Sequence, residues 1–258
     1  MKIVILGAGN LAWHLAPFLR KNGHEIVAVY SRTKFSAVAL ANKVKAIPID
    51  KIEDIPSNAD IYIVALQDKA VRSVLKSLKF IPNCIAHTSG SVSISVFPKQ
   101  FKNTGVFYPL QTFSKTRKVN LNEVPFLLES SNLKTKKILS SLANSISTNV
   151  HFITSDKRKK IHLAAVFANN FVNHLYSIAS EILKESKLPF DLLKPLIIET
   201  AGKILEDSPE KMQTGPARRN DQEIIKSHLQ LLKGQKNRKA IYSLLNASII
   251  DKFKVKAK

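Results

Sequence analysis

Cysteine is almost missing from this chain: its 258 residues include one, Cys84. An internal disulfide is therefore excluded, as is any cysteine-ligated zinc or iron–sulfur centre, and no metal site is expected. Glycine is also scarce, with eight residues where an average chain would carry about 7%. No apolar run approaches the roughly 20 residues that cross a bilayer, so no membrane partner is expected. The opening MKIVILGAGN has too short an apolar stretch for a signal-peptide core and reads as a strand, which predicts a cytoplasmic protein. Acidic residues are few, 19 against 40 Lys plus Arg, for a formal charge of +21. Such an excess raises the question of a nucleic-acid partner. It is spread over both halves without an arm or block, and only eight of the cations are Arg, the side chain whose fork reads base edges and phosphates. The reading is a Lys-biased solvated surface, and no nucleic-acid partner is expected.

What is present is ordinary globular material, 45% apolar and 23% charged, with length for two domains. Lys2–Leu6 is a short β-branched run of the kind that forms a buried parallel strand. It meets Gly7-Ala8-Gly9-Asn10-Leu11-Ala12, which fits G-x-G-x-x-G/A with Ala in the last place. A helical stretch, Leu11 to Lys21, ends at Asn22-Gly23, and His24–Tyr30 is a second apolar strand. Strand, glycine turn, helix and strand in about thirty residues make one βαβ unit. Gly7 suits the tight turn, Gly9 lets backbone approach a pyrophosphate, and Ala12 permits close helix packing. The helix N-terminus offers its free N–H groups to that phosphate. Ala8, Asn10 and Leu11 complete the predicted cofactor turn.

The end of the second strand selects the cofactor. NAD sites place Asp or Glu there for the ribose hydroxyls, whereas a 2′-phosphate needs a cation. Here the chain reads Tyr30-Ser31-Arg32-Thr33, with no acid until Asp50. Arg32 can fork onto the phosphate and Ser31 and Thr33 can supply hydroxyls, so NADP(H) is expected ahead of NAD(H). Further strands are predicted at Ala59–Ala65, Asn83–His87, Gly105 onward, Val124–Leu128 and near Asn149–Ile153, with helices at Val71–Leu78 and near Lys134–Ala143. In a parallel sheet, ligands sit at the carboxyl ends of strands. That rule singles out Leu66 and Gln67 beside the cofactor, and His87 and Ser89 nearer the chemistry. Gln111, in the loop after the Gly105 strand, is a candidate for substrate.

The second half reads as helices. After Thr154-Ser155-Asp156, a helical pattern runs to about Ser186, with His162, Asn169 and Asn173 within about 40° of one another. Asp191–Leu205, Asp221–Leu232 and Asn237–Phe253 follow. The polar loop Met212–Asp221 holds Arg218 and Arg219, suited to a carboxylate or phosphate. The predicted fold is thus α/β, a Rossmann-type parallel-sheet domain over 1–153 followed by an all-α domain over 154–258.

The combination of GAGNLA, Ser31-Arg32, HTSGS, YPLQTFS, HLAAVFANN and TGPARRND resembles a family of two-domain oxidoreductases. That family joins a Rossmann-like NADP-binding domain to a C-terminal helical domain of unknown function. It is similar in plan to 6-phosphogluconate dehydrogenase, ketopantoate reductase, pyrroline-5-carboxylate reductase and the deazaflavin-dependent NADP oxidoreductases. The resemblance implies an NADP-linked reductase or dehydrogenase and a dimer joined through its helices, and it gives no substrate; the expectation drawn from the residues is reduction of a C=O or C=N bond in a small anionic metabolite. The hydroxyacid dehydrogenases of this plan carry a Lys and an Asn one turn apart on the long helix. This chain departs from them, with Ala165 before Asn169 and Val166 before Asn170. The expected proton donor is then His162 or His87, with Ser89 and Asn169 holding the reacting oxygen or nitrogen and Arg218 the carboxylate. The alternative expectation is an NADP(H) sensor or assembly protein without catalysis.

Overall fold

The computed structural model describes residues 1–254. Among these residues, eight strands form one sheet in the order β3-β2-β1-β4-β5-β6-β7-β8. They are β1 (Lys2–Leu6), β2 (Glu25–Tyr30), β3 (Ile47–Ile49), β4 (Ile61–Val64), β5 (Ile85–His87), β6 (Thr104–Pro109), β7 (Phe126–Ser130) and β8 (Val150–Phe152). Helices α1 (Asn10–Lys21), α2 (Lys34–Val44), α3 (Asp68–Ser77) and α4 (Leu133–Asn144) alternate with them. Pairing is parallel throughout except between β6 and β7. The strand order reverses at β1, so a crevice opens where β1 and β4 diverge into their loops.

Burial on both faces explains the unbroken apolar strands. Ile3 and Ile5 pack into the cluster that holds Ala12, Leu15 and Leu19 of α1. Val4 and Leu6 pack oppositely, with Val71, Val74 and Leu75 of α3. Ala12 is fully buried, the close helix approach expected of the last position of the glycine motif. The reversal at β6 is the one departure from a purely parallel sheet, and it sends the segment after Pro109 out from the ligand edge before β7 returns.

α2 and β3 have no counterpart among the elements that the sequence predicts. Pro48 within β3 and the weak apolar face of α2 carry little periodic signal, yet Lys45 takes a left-handed φ of 50° to end α2 and β3 forms an edge strand, where Pro is tolerated.

The remaining helices are α5 (Ser155–Ala165), α6 (Val172–Glu185), α7 (Lys194–Glu206), α8 (Pro209–Met212), α9 (Pro216–Arg219), α10 (Gln222–Leu231) and α11 (Lys236–Phe253). Between α5 and α6, Val166–Phe171 winds as a π-helix, where the sequence reads as one uninterrupted helix. The chain divides into compact units at Met1–Asn170 and Phe171–Lys258, later than the 153/154 division drawn from sequence. The reason is Arg158, fully buried and ion-paired with Glu129 of β7. Its guanidinium also donates to the Val92 carbonyl and the Ser155 hydroxyl, and Ser155 Oγ donates to Glu129 at 2.7 Å. These bonds fasten the first turn of α5 to the sheet. No helix among the described residues is long and apolar enough to cross a membrane.

Candidate active site

Two cavities open at the carboxyl ends of the strands, both within the first unit. One, about 370 Å³, is lined by the Gly7–Asn10 turn after β1, Tyr30–Thr33 and Ser36 after β2, and Ala65–Gln67 after β4, with Lys115 beside them. Its geometry suits a dinucleotide. Gly7 has φ 121°, and a Cβ there would stand 2.1 Å from the Ala65 carbonyl oxygen, so only glycine makes the turn. A Cβ on Gly9 would meet nothing within 4 Å, which is the open space a pyrophosphate needs against backbone. Gly9 caps α1 without any side-chain acceptor, leaving the first-turn N–H groups free for an anion. Arg32 is exposed at the rim and has no ion pair among the described residues. Its guanidinium is available to a 2′-phosphate. These residues fit NADP.

The second cavity, about 490 Å³, shares Asn10 with the first and adds Leu11, Tyr108, Gln111, Thr112, His162 and Asn169 among its lining. His162 is placed by its surroundings. Its Nδ1 lies 3.2 Å from the Tyr108 hydroxyl, and the two rings meet edge to face at 6.0 Å. Gly90, in the loop after β5, makes room: a Cβ on it would fall 2.6 Å from His162 Nδ1 and 2.9 Å from the Tyr108 ring. Burial pushes the Tyr108 hydroxyl up from its ordinary value, with Arg158 opposing, so the phenol keeps its proton. Sequence reasoning missed Tyr108; the signal was its place at the carboxyl end of a strand, immediately before Pro109. The π-turn widens the helix so that Asn169 and Asn170 both join His162 in the lining, a distortion often found at functional sites. Asn173 is not part of that lining.

Other candidates lie elsewhere. His87 is fully buried, stacked on Phe97 at 5.6 Å, and its Nδ1 accepts from Ser89 N at 3.2 Å. It is absent from both cavity linings. Burial first, and then Arg158, lower its pKa to about 4, so it is a neutral core residue and poorly suited to donate a proton. Ser89 Oγ accepts from Ser91 N at 3.1 Å and Val92 N at 3.0 Å, bracing the loop. Arg218 and Arg219 belong to the helical unit, where they line a hollow of about 450 Å³ with Asn220, Phe253 and Lys254. The Arg218 guanidinium stacks on Phe253, 4.3 Å from the ring centre.

The state of His87 has a consequence for stability. A free imidazole titrates near 6.5, so between pH 6.5 and 4 the unfolded chain binds a proton that the folded one refuses. Stability then falls as pH drops through that window. Denaturant melts at pH 7 and 4.5 should show His87→Leu losing less stability than the unaltered chain, by about 2–3 kcal/mol. Parallel losses in both proteins would mean that His87 is protonated in the native state.

Sheet order, glycine turn and free cation together define a dinucleotide-binding α/β protein. Residues 2–96 match the family described as NADP oxidoreductase coenzyme F420-dependent, and residues 124–249 match a domain of unknown function, DUF2520. A Bacteroides fragilis protein assigned as an NADP oxidoreductase is 42% identical, with 97% of this chain and 98% of that one covered at a TM-score of 0.91. This chain belongs to that family of two-domain NADP oxidoreductases. A pyrroline-5-carboxylate reductase from Coxiella burnetii shares the fold at 16% identity, covering 98% of this chain and 97% of that one with a TM-score of 0.58. The glycerol-3-phosphate dehydrogenase [NAD(P)+] of Fusobacterium nucleatum is 32% identical over 95 residues, 31% of this chain, and the match spans only 28% of the dehydrogenase.

Proposed function

We propose that the protein is an NADPH-linked reductase of a C=O or C=N bond in a small anionic metabolite. The observation that carries this reading is the meeting of the two cavities at Asn10, with a hydrogen-bonded histidine in the second. The nicotinamide cofactor supplies a hydride when bound. The chain's own residues do the rest. The first-turn N–H groups of α1 bind pyrophosphate, and Arg32, Ser31 and Thr33 select the 2′-phosphate. Gln111 and Asn169 offer amide hydrogen bonds to orient a substrate.

His162 supplies the proton that a reduced carbonyl requires. In its charged form Nδ1–H donates to Tyr108 Oη and Nε2–H is the proton to give. Once that proton has passed to the new alkoxide, the neutral ring keeps its Nδ1 proton on Tyr108. Running the other way, the Nε2 lone pair takes the hydroxyl proton back. An iminium substrate needs less of this help, because it arrives already protonated.

We also propose a homodimer through the helical unit, in the cytoplasm. Among its described residues only Ala217, Ile225 and Leu232 are buried apolar side chains, while Leu196, Ile198 and Leu205 are 62%, 72% and 88% exposed. A helical unit with so little core of its own has apolar surface for a second copy to cover. The function is tested by following NADPH oxidation over a panel of 2-keto acids and cyclic imines. Turnover on at least one is expected. Tight NADPH binding with none turned over would instead favour a sensor.

A further inference from the structure

The segment that leaves β6 carries a cation not singled out from the sequence. Lys115 lines the nucleotide cavity with the Gly7–Asn10 turn and Ser31–Thr33. Its ammonium lies 4.9 Å from the centre of the Trp13 ring, and that of Lys43 lies 4.2 Å from the same centre. Neither has a carboxylate partner among the described residues. Of these two lysines beside one indole, only Lys115 belongs to the cavity wall, where an anion can pair with its ammonium directly.

The segment is also tied to the helix that begins at the glycine turn. His14 Nε2 is 2.8 Å from the Ser114 carbonyl oxygen, and the His14 ring lies 5.7 Å from that of Phe113. A few residues earlier, Gln111, Thr112 and Phe113 wall the second cavity. One stretch of chain therefore borders both sites.

We infer that Lys115 is a nucleotide-binding residue, contacting a phosphate of the dinucleotide, and that this contact fastens the Gln111–Asn120 segment over the substrate cavity. The inference rests on the nucleotide reading above and adds to it a residue and an order of events. The cofactor binds first, and the segment it secures completes the wall against which substrate sits.

Trp13 is the sole tryptophan, so intrinsic fluorescence reports this ring directly. Titration with NADPH should give Lys115→Gln a dissociation constant about tenfold or more above that of the unaltered protein, the value of one charge-assisted hydrogen bond. Lys43→Gln, which changes a cation outside the cavity lining, should bind as the unaltered protein does. NADPH should also slow trypsin cleavage after Arg117 and Lys118 in the unaltered protein and not in Lys115→Gln. Unchanged affinity in Lys115→Gln, with Arg32→Ala still weakened, overturns the inference and leaves the nucleotide site standing. Equal losses in Lys115→Gln and Lys43→Gln also overturn it, because a diffuse field would then explain both. No saturable response to NADPH in the unaltered protein overturns the nucleotide reading itself.

Discussion

Arg32→Ala raises the dissociation constant for NADPH about 10- to 100-fold and leaves that for NADH nearly unchanged, because only the former carries the phosphate that a guanidinium would grip. The expectation follows from position. Arg32 stands two residues beyond the end of β2, at the rim of the cavity that also holds the Gly7–Asn10 turn. No aspartate or glutamate occupies that strand end to compete for the ribose. The side chain is exposed and makes no ion pair among the described residues, so its removal should cost little folding stability. Isothermal titration with both cofactors reads the result. Equal weakening of the two would remove Arg32 from the 2′-phosphate and return NAD to equal standing.

His162→Gln should lower turnover on a carbonyl substrate about 10²- to 10⁴-fold, the range for loss of a positioned general acid. Glutamine can hydrogen-bond to Tyr108 but cannot deliver a proton. NADPH affinity should stay within about twofold, since His162 lines the second cavity and not the nucleotide one. Tyr108→Phe should fall between the two proteins, because the imidazole survives but loses the 3.2 Å contact that orients it. Stopped-flow single-turnover traces separate the chemical step from product release. Unchanged turnover in His162→Gln would take the histidine out of the mechanism.

Much of the nucleotide half was legible because its signals are local. Buried parallel strands read as apolar runs, and the glycine turn has a stereochemical reason at each position that one sequence displays. Arg32 could be placed for the same reason, by counting from a strand end. The parts that escaped depend on tertiary partners. Arg158 sits in the run Lys157-Arg158-Lys159-Lys160, which reads as a solvated charged face. Nothing local marks the one cation of the four that is fully buried against Glu129. That same contact ties α5 to the sheet and moves the division between the units.

His87 shows the opposite error. A histidine at a strand end in a parallel sheet is well placed by topology, but exposure decides its chemistry, and stacking on Phe97 with complete burial leaves it neutral. His162 and Tyr108 are far apart in sequence and meet only because Gly90 leaves the space of a methyl group between them. HTSGS, YPLQTFS and HLAAVFANN were visible as separate motifs. Their convergence on one histidine was not. The π-turn at Val166–Phe171 likewise leaves no mark on helical periodicity, since its sequence is compatible with an ordinary helix.

The proposed reaction transfers a hydride from NADPH to a small molecule held beside His162. Single-turnover reaction with NADPH deuterated at the transferring position of the nicotinamide tests it most directly, using a 2-keto acid and a cyclic imine as acceptors and mass spectrometry of the products. One deuterium is expected on the former carbonyl or imine carbon, abolished or slowed at least a hundredfold for the carbonyl by His162→Gln. Saturable NADPH binding with no deuterium in any product across the acceptor panel would contradict it.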